Sequence, residues 1–163
     1  MKTTILLSVL LMAGLFLMRW SGIALIRDKR FFTFVPKTVA DAVQPRHERF
    51  PGAYGLGWLL VGLAECTMGG AVIWGGVREG FTFLQLTTRF LVMILLLKAF
   101  DVLFIDYFLL CRSHFFQCYY PETAPFIGPH LFGHNRRTHL SHILLALPAS
   151  ALMAWLFPLI LRG

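Results

Sequence analysis

Four stretches carry apolar residues almost without interruption, Thr4–Ile26, Leu56–Val77, Phe90–Arg112 and Ile143–Leu161. Each meets the length of roughly 18 residues that a helix rising about 1.5 Å per residue needs to cross ~30 Å of hydrocarbon. Lipid offers no partner to a backbone amide, so runs of this length are predicted as helices. The pattern predicts an all-α integral membrane protein: one domain over residues 1–163, a four-transmembrane-helix bundle, N-out/C-out, with two longer cytoplasmic loops. Lys2 ahead of the first run resembles the start of a secretory signal. No A-x-A-like cleavage site follows, however, and Arg19-Trp20 reads as an interfacial anchor, so a retained span is expected.

The segments between the runs differ in kind. "VREGFTFLQ" is short, which predicts antiparallel neighbours for the second and third helices. The two long loops are rich in Phe and Tyr, rings that favour the headgroup layer, and Pro36, Pro45, Pro51, Pro121, Pro125 and Pro129 are expected to break any long helix there. These loops are predicted to lie along the membrane surface. In the second run Gly62, Gly69 and Gly76 recur every seven residues with Glu65 on the same stripe, a pattern that lets backbones approach closely and turns Glu65 toward protein. Pro148 and Pro158 are expected to kink or end the fourth run.

Composition agrees with this class: of 163 residues, 57% are hydrophobic and 14% charged. The net charge of +7 would point to nucleic acid in a soluble chain, but its distribution points elsewhere. The long loops hold Arg27, Lys29, Arg30, Lys37, Arg46, Arg49, Arg112, Arg136 and Arg137, against Lys2, Arg78, Arg89 and Arg162 on the other side. The positive-inside bias therefore places both long loops in the cytoplasm, with a bacterial inner (cytoplasmic) membrane as the expected location. Membrane lipids are the expected partners, with a homo-oligomer or another membrane subunit beside them and no nucleic acid. Cys66, Cys111 and Cys118 form no C-x-x-C motif and predict no disulfide framework.

The third run departs from plain hydrophobicity, because "KAFDVLFID" sets Lys98, Asp101 and Asp106 inside it. Arg19 and Glu65 add two further ionisable groups within the spans. A charge at mid-bilayer costs about 2.5–3.5 kcal/mol on insertion scales, so all five need partners or water. Counted from the cytoplasmic ends, Arg19 and Asp106 lie about 10 Å deep, Glu65 about 13 Å, Asp101 about 16 Å and Lys98 about 21 Å. On a regular helix Asp101 and Asp106 flank Lys98, about 60° to one side and about 80° to the other. The predicted pairs are Arg19 with Asp106, and Lys98 with Asp101 or Glu65. Two positive groups against three acids leave one carboxyl that must hold a proton or neutralise a group arriving from outside. These five residues are candidate binding residues; the plainer reading is an ion-pair network that sets helix register.

A second concentration of chemistry follows the third run: His114, His130, His134, His139 and His142, with Glu122, Asn135, Arg136 and Arg137. The H-x3-H and H-x2-H spacings faintly resemble the histidine boxes of membrane di-iron desaturases, but those enzymes carry adjacent histidine pairs on a longer chain. No metal site is therefore assigned, and no cofactor is named. His114, Glu122, His134 and His139 stand as candidate acid–base residues. Arg136 and Arg137 are a candidate phosphate clamp, although a positive pair beside a span is the plainer account. "QPRHERFPGAYG" is loosely similar to a segment of isoprenylcysteine-type methyltransferases, with its proline displaced and its place in the chain different, and is read as chance.

No P-loop, H-E-x-x-H, G-x-S-x-G or Rossmann fingerprint is present. Three functions fit the pattern. The first is a polar intramembrane site that binds or moves a small cation, proton or polar solute. The second is a membrane enzyme acting on a lipid-like or isoprenoid substrate at the cytoplasmic interface. The third is a non-catalytic subunit of a larger membrane complex.

Overall fold

The computed structural model describes residues 2–27, 29–32, 35–44 and 50–162, apart from the side chains of residues 31, 65, 68, 69, 72, 73, 77, 157 and 160–162. It is all-helical, with no strand among the described residues. Four long helices carry the chain: α1 (Lys2–Ser21), α3 (Ala53–Arg78), α4 (Phe83–Phe100) and α6 (Arg136–Arg162). Two short ones, α2 (Lys37–Ala42) and α5 (Phe115–Tyr119), lie in the loops. Helix α1 passes into a π turn at Gly22–Ile26, and α4 continues as a π-helix over Asp101–Arg112. Lys2–Ile26 and Arg136–Leu156 are long and apolar enough to cross a membrane, while Ala53–Ala64 is a shorter apolar stretch. By that criterion two spans are found among the described residues where the sequence predicts four. The Phe83–Arg112 run is helical throughout but carries Arg89, Lys98, Asp101, Asp106 and Arg112.

Local chemistry sets the helix ends. Gly80, at φ +69°, lets Phe81 N–H reach back 2.8 Å to the Gly76 carbonyl, the left-handed glycine cap that terminates α3. The next helix opens on a reciprocal box: Thr82 N–H donates to Gln85 Oε1 at 2.9 Å, and Gln85 N–H donates to Thr82 Oγ1 at 3.3 Å. Helix α4 thus begins at Phe83, seven residues before the predicted span, and Arg89 lies inside it. The last helix starts at Arg136, ahead of the predicted Ile143, so His139 and His142 are helical and not in a loop. Pro148 and Pro158 sit inside α6 and do not end it.

The chain divides into two compact units. The first comprises Met1–Ala13, Gly62–Ala99 and Asn135–Gly163. Its core is Leu86, Phe90, Met93 and Ala154, with Leu7, Phe81, Leu97 and Met153 packed against it. Small residues are buried at helical spacing on α6, Ala146, Ser150 and Ala154, and Thr4, Ser8 and Leu11 do the same on α1. Of the glycine stripe, Gly76 sits tight: a Cβ there would meet Leu86 Cδ2 at 2.6 Å and Phe81 Cδ2 at 2.9 Å. Gly62 has nothing within 4 Å of such a Cβ.

The second unit comprises Gly14–Val61 and Phe100–His134. Here the long loops fold into a packed cap over the π-helix, where the sequence predicts segments lying on a membrane surface. Val39 of α2, with Val35 and Val43 four residues to either side of it, packs into a core with Phe32, Phe116, Tyr120, Leu131, Ile105, Leu109 and Leu110. Pro36 caps the start of α2 and Pro121 opens the short 3-10 segment Pro121–Phe126 on which α2 packs. These prolines start elements more than they break them. The Tyr120 hydroxyl donates to the Ile23 carbonyl at 3.3 Å, and Phe32 meets the Tyr120 ring edge-on at 4.9 Å.

Candidate functional site

Within the capped unit, the π-helix brings charge together. An α-helix sets residues five apart about 140° from each other at ~100° per residue. A π winding, bonding residue i to i+5, is wider and returns the fifth residue to the same side as the first. Asp101 and Asp106 therefore share a face, and Cys111, five further on, donates its thiol to the Asp106 carbonyl at 3.0 Å. The same winding ends where Ser113 N–H reaches the Phe108 carbonyl at 2.8 Å.

That face meets α1. Arg19 Nη2 lies 3.8 Å from Asp101 Oδ1, and Asp106 adds its charge to the field at the same guanidinium. The sequence predicts Arg19 with Asp106, and Lys98 with Asp101 or Glu65. An ion pair at 3.8 Å joins Arg19 to Asp101, and the π turn brings Asp106 round toward the same guanidinium. Arg19 and Asp101 each retain partial exposure, whereas Asp106 is 3% exposed, between Ile105 and the buried Leu109 and Leu110. Aromatic rings join the same two elements: Phe16 packs edge-on against Phe104 at 5.3 Å, and Phe104 stacks with Phe100 at 5.0 Å and Phe108 at 5.6 Å. Two carboxylates thus act on one partly buried guanidinium, an arrangement in which charge is felt more strongly than in open water.

Among the remaining candidates, Lys98 is half-buried in the last turn of α4, in the first unit. The Glu65 side chain, like residues 45–49 with His47, lies outside the described residues. Glu122 Oε1 accepts the Gln44 N–H at 3.3 Å just beyond α2, which ties the two loops together. The His134 ring nitrogen Nδ1 is 3.1 Å from the Leu131 carbonyl, and His114 is exposed at the start of α5. His139, half-buried, and the exposed Arg136 and Arg137 belong to the first turns of α6 in the other unit. Among the described residues no three His, Cys, Asp or Glu side chains converge to hold a metal, so the histidine spacing assembles no box there.

Sequence reasoning overlooks Arg89. Placed by the positive-inside count on the outer side, it is half-buried in α4, donating Nη1 to Thr4 Oγ1 at 3.3 Å with its guanidinium 4.0 Å above the Phe81 ring. The T-x-x-Q capping pattern of Thr82 and Gln85 is the signal that would have placed it within the helix. No protein-family model, no curated protein and no solved structure matches the chain.

Proposed function

We propose that the chain is an integral membrane protein crossing the bilayer four times, N-out/C-out, whose Arg19–Asp101–Asp106 cluster takes up and releases a proton or small cation. The membrane part of this reading is supported by the outward surfaces of all four long helices. Leu6 on α1, Leu59 on α3, Leu84 on α4 and Leu144 on α6 are each 59–76% exposed, and Trp74 and Trp155 are exposed with them. Apolar exposure on this scale suits lipid and not water. The site reading rests on one observation: Asp106 is 3% exposed on the face that also presents Asp101 to a single guanidinium. Two carboxylates set beside one guanidinium make a locally acidic site, the setting in which a proton or small cation is favoured. The π winding that aligns the acids is of a kind that recurs at functional sites.

The interfacial-enzyme reading draws less support, since Glu122 is engaged with the Gln44 amide and the His134 ring with the Leu131 carbonyl. The test is reconstitution into liposomes under an imposed pH or cation gradient. Wild type should dissipate the gradient, and Asp106→Asn should abolish the flux while Glu122→Gln retains it. Flux that survives Asp106→Asn and Asp101→Asn together would overturn the assignment.

A further inference from the structure

In the first unit, a cavity of about 260 Å³ opens between the start of α1, the end of α3 and the beginning of α4. Two of its lining residues carry opposite charges, Arg89 and Glu79, with Thr3, Phe81, Leu6 and Leu7 among the others. Arg89 bonds the neutral Thr4 hydroxyl and lies over the Phe81 ring, and among the described residues it has no carboxylate partner. A hydroxyl and a ring face leave most of a guanidinium's five donors and its charge for something else. Glu79 is exposed, lines the same cavity and forms no ion pair with Arg89. Opposite charges on two walls of one small cavity, held apart, match a molecule that carries both signs.

We propose that this cavity binds a phosphoethanolamine group, its phosphate on Arg89 and its primary ammonium on Glu79. The guanidinium fork suits a phosphate oxygen pair, and the carboxylate accepts N–H donors that a quaternary ammonium lacks. Cavity volume allows it: at about 30 Å³ per water, the space corresponds to roughly eight or nine waters. Leu6 and Leu7 continue the lining with apolar surface, as the glycerol and upper acyl region of a lipid would require. The same chemistry occurs in phosphatidylethanolamine and in free phosphoethanolamine. The lipid source rests on the membrane reading above; the soluble one does not.

The test uses the purified full chain in detergent. Native mass spectrometry with phosphatidylethanolamine, phosphatidylglycerol and phosphatidylcholine reads the lipid arm, and thermal shift with phosphoethanolamine, phosphocholine and glycerol phosphate reads the soluble arm. Wild type should prefer the primary-amine member of one series by about tenfold, the worth of a charge-assisted hydrogen bond. Preference in the lipid series alone assigns a lipid, and in the soluble series alone a solute. Glu79→Gln, which breaks no internal bond, should erase the preference for the amine while leaving phosphate binding, and Arg89→Gln should weaken every phosphate. Equal retention of all members by wild type, or a preference unchanged in Glu79→Gln, would overturn the proposal. Because neither arm measures flux, failure here is distinct from failure of the acid cluster.

Discussion

Tyr120 donates its hydroxyl to the carbonyl of Ile23, 97 residues earlier, and so fastens the second loop to the π turn that ends the first helix. Both residues are fully buried, with Tyr120 1% and Ile23 0% exposed. Tyr120→Phe keeps the ring against Phe32 and removes only the donor. A loss of about 1 kcal/mol in chemical denaturation is expected, with the helix content by circular dichroism unchanged.

The acid cluster should behave as one coupled unit. Arg19→Met removes the cation from beside Asp101 and Asp106, and a destabilisation of about 1–3 kcal/mol is expected for a partly exposed pair broken on one side. Adding Asp101→Asn to Arg19→Met should restore part of that loss. A double-mutant cycle on detergent-solubilised protein would then give a coupling of about 0.5–3 kcal/mol, and a strictly additive result would mean the pair carries nothing.

Two glycines of one stripe should respond oppositely. Gly76→Ala drives a methyl into Leu86 and Phe81, and overpacking of about 1–3 kcal/mol should lower the thermal midpoint. Gly62→Ala meets open space and gains about 1 kcal/mol or less of helix propensity, so its midpoint should hold or rise. Thermal unfolding followed in the same detergent compares them directly.

Removal of the box that opens α4 tests where that helix begins. Thr82→Ala deletes one of the two reciprocal bonds and should cost about 1 kcal/mol, with amide exchange rising at Gln85 and its immediate neighbours. Exchange unchanged at Gln85 would count against a helix starting at Phe83.

What the sequence made legible follows from which forces leave a mark in composition. The long helices are written in apolar runs, and the predicted Thr4–Ile26 differs from the observed Lys2–Ile26 by two residues. The π winding is not written anywhere, because a change of one residue in hydrogen-bond register leaves the residue types untouched; the sequence therefore groups Arg19 with the two acids but does not show that Asp101 and Asp106 share a face. The cap leaves a fainter mark: Val35, Val39 and Val43 recur every fourth residue, a helical period set among prolines and aromatic rings that point to a surface loop. Arg89 enters the sequence reading only as one of the outer-side charges, because a count of positive charges carries no packing information, whereas the capping box sets it inside α4.

The three thiols differ in reach: Cys66 and Cys118 are exposed, and Cys111 is enclosed with the π-helix core. The protein thus carries its own reporters of sidedness. A membrane-impermeant maleimide should modify Cys118 in inverted vesicles and spare it in right-side-out ones, while Cys66, within the second predicted span, should need a permeant reagent. Modification of Cys118 from the outer face would invert the whole arrangement, and with it the side from which a proton or cation first meets Asp106.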